Sequence, residues 1–295
     1  MTQITANLVK ELREKTGVGM MDCKKALVES NGDFQAAIDW LRTKGHASAA
    51  KRSERIAAEG LVALEIQGNK AAIIELNSET DFVARNEKFQ DLIHNLLKIA
   101  FDCKSLNDLE NAEYPKTKRS VKDEILENMA VIGEKINLNR FDTISVNEGL
   151  IVSYIHNEIV PGAGKIAVLI ALESKANKEK LNALGKQLAM HIAAAKPEAL
   201  NVEDVSTENL DREKQIFTDQ ARASGKPDNI IEKMVGGRIS KYYQEVVLLE
   251  QVFVIDNKTK ISALLADFAK ENGTTVAIKG FIRYELGERI SKTEE

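Results

Sequence analysis

Residues 60–77 read "GLVALEIQGNKAAIIELN", two short apolar runs separated by Gly68 and Asn69. A Gly-Asn pair between strand-length runs of this kind predicts a hairpin, because the turn needs residues that tolerate positive φ. After a polar connection, "SETDFVARN" (78–86), comes "NEKFQDLIHNLLKIAF" (86–101). There Phe89, Leu92, Ile93, Leu96, Leu97 and Ala100 recur at the i, i+3, i+4, i+7 spacing of an amphipathic helix. The unit is a hairpin followed by a helix.

The same order returns downstream. "GLIVSYIH" (149–156) and "GKIAVLIALES" (164–174) read as two strands joined by a longer loop, "NEIVPGAG". "NKEKLNALGKQLAMHIAAA" (177–195) reads as a helix with Leu181, Leu184, Leu188, His191 and Ile192 on one side. Two such copies predict an α+β fold with a duplicated core. Between them, residues 120–146 supply a further helix and an extended segment.

On the N-terminal side, "TANLVKELREK", "MMDCKKALVES" and "FQAAIDWLRTK" predict three short helices, with Gly17, Gly32 and Gly45 as helix ends and Asp33 as a cap. "HASAAKRSERIAAE" follows as a helical linker. Beyond Pro197 the pattern is helical: Ser206-Thr207 opens one helix, Gly225-Lys226-Pro227 breaks it, and residues 228–250 make a second, so an antiparallel helical hairpin interrupts the second copy. "QVFVID", the helix "ISALLADFAKENG" and "TTVAIKGFIRYEL" return to the sheet, and "GERISKTEE" reads as a polar tail.

The composition is that of a globular protein, 43% apolar and 29% charged, with room for two or three compact units in 295 residues. No apolar run reaches the ~18 residues of a membrane span, and the first residues lack a secretory pattern, so a cytoplasmic location is expected. Cys23 and Cys103 stand apart, without metal-ligand spacing, and read as packing residues. A formal charge of −4 and 5% aromatics argue against direct nucleic-acid binding, and the basic run "KRSER" (51–55) reads as a solvated helix face.

No catalytic constellation emerges. "PGAGK" (161–165) resembles a phosphate cradle, but Ile159 and Ile166 stand where that loop needs Gly and Ser or Thr, and a strand follows instead of a helix. "TGVGMM" (16–21) lacks the third Gly and the preceding strand of a dinucleotide site. Met20 and Met21 are adjacent on a helix and cannot both face one core, which leaves core packing or surface contact open. His46, His94, His156 and His191 have no partner at metal spacing; His94 and His191 read as core residues, and His156, at a strand end, is kept for a surface role. In "SETDFVARN", Ser78 and Asp81 could form a capping box and Asn86 could cap the next helix, but Phe82 has no such local work. Either it extends the helix stripe backward, seven residues before Phe89, or it is exposed for a partner. The second copy has only "SKANKEK" at the matching place, shorter and without an aromatic.

Several motifs together resemble bacterial translation elongation factor Ts. "LVKELREKTGVGMMDCKKAL" and "TDFVARN" are similar to that family's two signatures, and "VIGEKIN", "SYIH", "AMHIAAAKP", "SGKP…IIEKMV" and "GFIRYELGE" follow in the family's order over nearly the whole chain. The resemblance implies a nucleotide exchange factor for the GTPase elongation factor Tu, with no covalent chemistry, cofactor or bound metal of its own. It implies a UBA-like three-helix module with linker at 1–55, a core N-subdomain at 56–144, a core C-subdomain at 145–285 carrying the helical hairpin at about 198–248, and a polar tail at 286–295. It assigns the loop that dislodges the partner's magnesium to Thr80, Asp81, Phe82 and Val83, and further partner contacts to Met20, Met21, Lys24, Ile132, Gly133 and His156. The chain departs from the family at "VGGR" (235–238), whose second Gly should loosen its helix by about 1 kcal/mol, and at Val252, where Pro is common. It also ends where many members continue into a C-terminal helix that adds a partner contact, so that contact is not assumed here, and whether the short C-terminus lacks it is left open. Two other classes, an adaptor without effect on nucleotide and a nucleotide-using enzyme, are set against the exchange factor. The sequence leaves open whether the hairpin's Ile216, Phe217, Ile230, Ile231 and Met234 pack internally or form a homodimer or a 2:2 complex with Tu.

Overall fold

A computed structural model describes residues 4–52, 54–223 and 227–290. Three helices open the chain: α1 (Ala6–Thr16), α2 (Met20–Glu29) and α3 (Phe34–Arg52). Their shared core is Val9, Leu12, Cys23, Ala26, Leu27, Ala37 and Leu41, which accounts for Cys23 as a packing residue, and burial pushes its thiol pKa up. Gly17 and Gly32 take φ of 74° and 84° at helix ends, as expected, and Asp33 Oδ1 accepts the Ala36 amide at 2.8 Å. Gly45 does not end a helix. α3 runs on to Arg52 and absorbs much of the expected linker, because Gly45 lies where α3 crosses a later helix: a Cβ there would stand 2.7 Å from the Cβ of Ala130.

Strands β1 (Glu59–Gln67) and β2 (Lys70–Ser78) form the predicted hairpin, followed by α4 (Glu87–Ala100), whose six expected stripe residues are all buried. The short α5 (Leu106–Asn111) and α6 (Val121–Ile132) lead into β3 (Ile136–Ser145), which pairs with β2. The second copy comprises β4 (Gly149–Val160), β5 (Ala163–Ser174), α7 (Lys178–Ala195), α8 (Thr207–Arg222), α9 (Asp228–Val246), α10 (Ile261–Asn272) and β6 (Val276–Glu285). The expected "NEIVPGAG" loop is largely strand. β4 continues to Val160 because residues 156–160 keep pairing with β5, leaving Pro161-Gly162 as the tip.

All strand pairings are antiparallel in one six-stranded sheet, in the order β3-β2-β1-β5-β4, with β6 also on β5. In each half the second strand of the hairpin is central, flanked by β1 and β3 or by β4 and β6. The halves also share irregularities. Gly60 (φ 120°) faces Asn77 and Gly149 (φ 148°) faces Glu173, where a Cβ would strike the carbonyl oxygen of Leu76 or Leu172. A register shift follows at Glu75/Leu76 in one half and at Ala171/Leu172 in the other.

The sheet curls so that one face of each half meets the other. Val62, Leu64, Ala71, Ile73 and Val146 pack with Ile151, Ala167, Leu169, Ala171 and Tyr284. The outer faces are covered by α4–α6 on the first half and by α7 and α10 on the second. At one end, buried Glu75 is held by Arg140 Nε at 2.6 Å and by the Gly287 amide at 2.8 Å, and Glu288 lies 3.1 Å from Arg283 Nη1, so the segment read as a polar tail is anchored to the sheet through Gly287 and Glu288.

The inserted helices α8 and α9 pack on each other, and Ser206 caps α8 by accepting the Asn209 amide. Gly225 and Lys226, read as the break between them, lie outside the described residues. Of the apolar candidates, Ile231 is buried, Phe217 and Met234 are half-buried, and Ile216 and Ile230 are exposed. α9 passes through Gly236 and Gly237 unbroken. The insertion closes at a neck, where the Leu248 amide donates to the Ala199 carbonyl at 2.8 Å. Among the described residues no helix is long and apolar enough to cross a membrane, and no group of three or more His, Cys, Asp or Glu could hold a metal ion.

Candidate functional site

The connection from β2 to α4 is built from both ends. Ser78 Oγ donates to the Thr80 carbonyl at 2.9 Å, so the expected capping box with Asp81 does not form. At the far end Asn86 Oδ1 accepts the amides of Lys88 and Phe89 at 2.9 and 3.4 Å, the predicted cap. A single 3₁₀ turn, Val83–Arg85, lies between them, with Val83 and Ala84 buried in the core under α4. Val83 therefore supplies the anchoring that Phe82 would have given as a backward extension of the stripe. Phe82 sits at the crest of the turn in ordinary helical dihedrals, 79% exposed, with Asp81 exposed beside it.

A second element meets this turn from α6. Gly133 ends α6 at φ 87°, its amide donating to the Met129 carbonyl at 3.0 Å, and half-buried Ile132 packs against the α4 core. The next residue, Glu134, accepts the Thr80 amide at 2.9 Å and the Thr80 hydroxyl at 2.7 Å. Glu79 returns the contact: its Oε1 accepts the Lys135 amide at 2.6 Å and its Oε2 lies 3.1 Å from Arg55 Nη1. Lys135 Nζ in turn donates to the Arg55 carbonyl at 2.7 Å. The sequence reading did not single out Glu79 or Glu134. Their signal was that each carries a carboxylate beside one of the singled-out motifs, "TDFV" and "IG".

The three-helix unit contributes the third element. Met20 and Met21 are both exposed at the start of α2, Met21 by 76%, and Lys24 is exposed one turn on, which decides between the two readings of the methionine pair. The turn that leads into them, Gly17–Gly19, borders a groove of about 560 Å³ with Asn86, Glu87, Lys88, Val131 and Ile132. α6 is the bracket: its middle receives α3 at Gly45 and through Arg42 Nε to Glu127 at 3.0 Å, and its end receives the Thr80 turn.

Not every candidate joins this face. His156 lies within β4 rather than at its end, opposite Ile166 in the second half of the sheet, exposed, with Nδ1 3.1 Å from Tyr154 Oη. No described contact links it to the Thr80–Val83 turn. "PGAGK" is committed to the sheet: the Gly162 amide donates to Glu158 and the Gly162 carbonyl accepts from Leu64, which removes the cradle of free amides that a phosphate needs. His191 is the core residue expected. Its Nδ1 accepts the Val254 amide at 3.3 Å and its Nε2 lies 2.9 Å from Gln251 Oε1, while burial pulls its pKa down. His94 is half-buried on α4, and the His46 side chain lies outside the described set. The assembled face thus holds exposed apolar side chains on strapped turns, and among the described residues no group of three or more His, Cys, Asp or Glu could hold a metal ion there.

Comparison with known proteins gives one answer. A family model described as Elongation factor TS matches residues 79–288. The chain is 52% identical over 293 residues to Elongation factor Ts of Rhodospirillum centenum, covering 99% of this chain and 95% of that protein. It is 51% identical over 295 residues to Elongation factor Ts of Rhizobium etli, covering 100% and 96%. The figure is 53% over 293 residues for Elongation factor Ts of Paramagnetospirillum magneticum, covering 99% and 94%.

Proposed function

The chain belongs to the elongation factor Ts family, and from that premise we propose that it is the guanine nucleotide exchange factor of the translational GTPase elongation factor Tu, working in the cytoplasm through the face described above. It binds Tu carrying GDP, disturbs the partner's magnesium and phosphate site through Thr80–Val83, speeds GDP loss and stays bound until GTP enters. The observation that carries this reading is the 79% exposure of Phe82 on a turn held from both ends.

The work asked of the residues is mechanical. Magnesium tolerates little departure from octahedral geometry, so a small displacement of the partner's elements weakens it and the phosphates it bridges. Burying a Phe side chain contributes about 1.5–3 kcal/mol, enough for a hot spot. Coupling is reciprocal: GDP weakens factor binding by the factor by which factor binding weakens GDP, and a thousandfold effect corresponds to about 4 kcal/mol. The division of labour follows the proposed boundaries. Residues 1–55 present Met20, Met21 and Lys24, residues 56–144 carry Phe82 with Ile132 and Gly133, and residues 145–285 add His156 and the hairpin.

The test is release of labelled GDP from Tu with wild-type protein and with Phe82→Ala. The wild-type protein accelerates release, and the variant loses about tenfold or more of that acceleration while melting at the wild-type temperature, since the side chain removed is exposed. No acceleration by the wild-type protein would sink the proposal. A 2:2 assembly with Tu through exposed Ile216 and Ile230 is decided by light scattering. A mass of one factor and one Tu excludes it.

A further inference from the structure

The backbone of Phe82 is fixed, its carbonyl accepting the Arg85 amide at 3.1 Å, but its side chain stands in the open. It is exposed, and a side chain free to swing on a loose turn would lose much of its contact energy in being ordered at the moment of binding. On its C-terminal side the turn is fixed by Val83 and Ala84, which sit in the core, and by the Asn86 cap. On its N-terminal side the nearest fixed point is Thr80, two residues away. Both Thr80 donors end on one carboxylate, that of Glu134, at 2.9 and 2.7 Å.

We propose that Glu134 is a positioning residue for exchange: it straps Thr80 to the end of α6 and so presents Phe82 in a fixed pose. The inference rests on the proposed function of the Phe82 turn. It also reassigns Thr80, whose amide and hydroxyl are both spent on Glu134, from partner contact to strap. Gly133 is what aims the carboxylate, since its φ of 87° turns the chain sharply at the end of α6. Glu79 does the reverse task, tying the Lys135 amide and Arg55 to the base of the turn, so the two segments grip each other by reciprocal glutamates. Hydrogen bonds to a charged acceptor are stronger than neutral ones, which suits a strap that must hold while the crest is pushed into a partner.

The experiment measures release of fluorescent GDP from Tu at saturating factor for Glu134→Ala, Glu134→Gln, Phe82→Ala and the double variant Glu134→Ala/Phe82→Ala, with thermal melts confirming that each is folded. Glu134→Ala slows exchange about tenfold. Glu134→Gln stays within about threefold of wild type, because the amide oxygen accepts the Thr80 amide and the amide nitrogen donates to the rotated hydroxyl. The double variant is no slower than Phe82→Ala, since there is no longer a side chain to present. A wild-type rate for Glu134→Ala overturns the proposal, as does a Gln variant as slow as the Ala variant, or an equal slowing by Glu134→Ala in the Phe82→Ala background. Hydrogen exchange of the Thr80 amide in the free factor gives a partner-independent reading. Protection falls in Glu134→Ala and persists in Glu134→Gln, and unchanged protection in Glu134→Ala overturns the strap. Failure of the wild-type factor to release GDP would instead overturn the function, with the strap then judged by hydrogen exchange.

Discussion

The two halves of the sheet leave their central strands in the same way and reach their helices in the same way, yet by different distances. β2 ends at Ser78 and β5 at Ser174. Asn86 caps α4 and Asn177 caps α7, each accepting the amides two and three residues on. Residues 79–85 lie between serine and asparagine in the first half, and only Lys175 and Ala176 in the second. Two residues suffice to join the strand to the helix. The surplus in the first half divides in two: Val83 and Ala84 are buried under α4 and belong to the fold, whereas Asp81 and Phe82 stand exposed and are the part the proposed exchange role would use.

That contrast can be broken most directly by replacing residues 79–85 with Lys-Ala, copying the second half. The factor is expected to melt cooperatively, less stable by about 2–4 kcal/mol because Val83 leaves the core and the Glu134 strap is lost. GDP release from Tu should fall to the spontaneous rate, and retained acceleration would show that the extra residues of the first half are dispensable for exchange. A symmetrical test asks whether the halves are equivalent elsewhere. Gly60→Ala and Gly149→Ala each force a Cβ against a strand carbonyl at positive φ, and each should destabilise by about 2–3 kcal/mol in denaturant titration. A marked inequality between them would show that the shared irregularities bear different loads.

The smallest effect separates the halves by pH. Fourteen residues after the caps stand Ala100 in the first half and His191 in the second. Burial lowers the His191 pKa, so the unfolded chain takes up the proton first. Stability from this site is complete above the unfolded value of about 6.5 and is lost as pH falls below it. Hydrogen exchange should show α7 opening more readily relative to α4 as the pH falls below about 6.5, and this change with pH should vanish in His191→Leu.

What the sequence disclosed is what local physics decides. The Gly68-Asn69 turn, the α4 stripe and the Asn86 cap are set by residues within a few positions of one another. Phe82 was legible as misplaced because the repeat offered a second copy without it. The rest depended on distant partners. Gly45 looks like a helix end until Ala130 is known to pass beside it, and residues 157–160 look like loop until β5 pairs with them. Glu79 and Glu134 are ordinary acidic residues among 45 until the fold brings each to the other's backbone. The rule that helical neighbours cannot share a face is enough to say that Met20 and Met21 are not both core residues, but that both are exposed depends on how α1 and α3 pack on α2.

The neck of the helical insertion adds a different lesson. Because Ala199 and Val247 lie side by side, the chain departs from the second half and re-enters it at a single point. Whatever is strung between them adds no displacement to the strands on either side, and its closure entropy grows only with the logarithm of its length. Replacing α8 and α9 by a short loop between these two residues is therefore expected to leave the pairing of β4, β5 and β6 intact, with strand amide protection as the measurement that checks it.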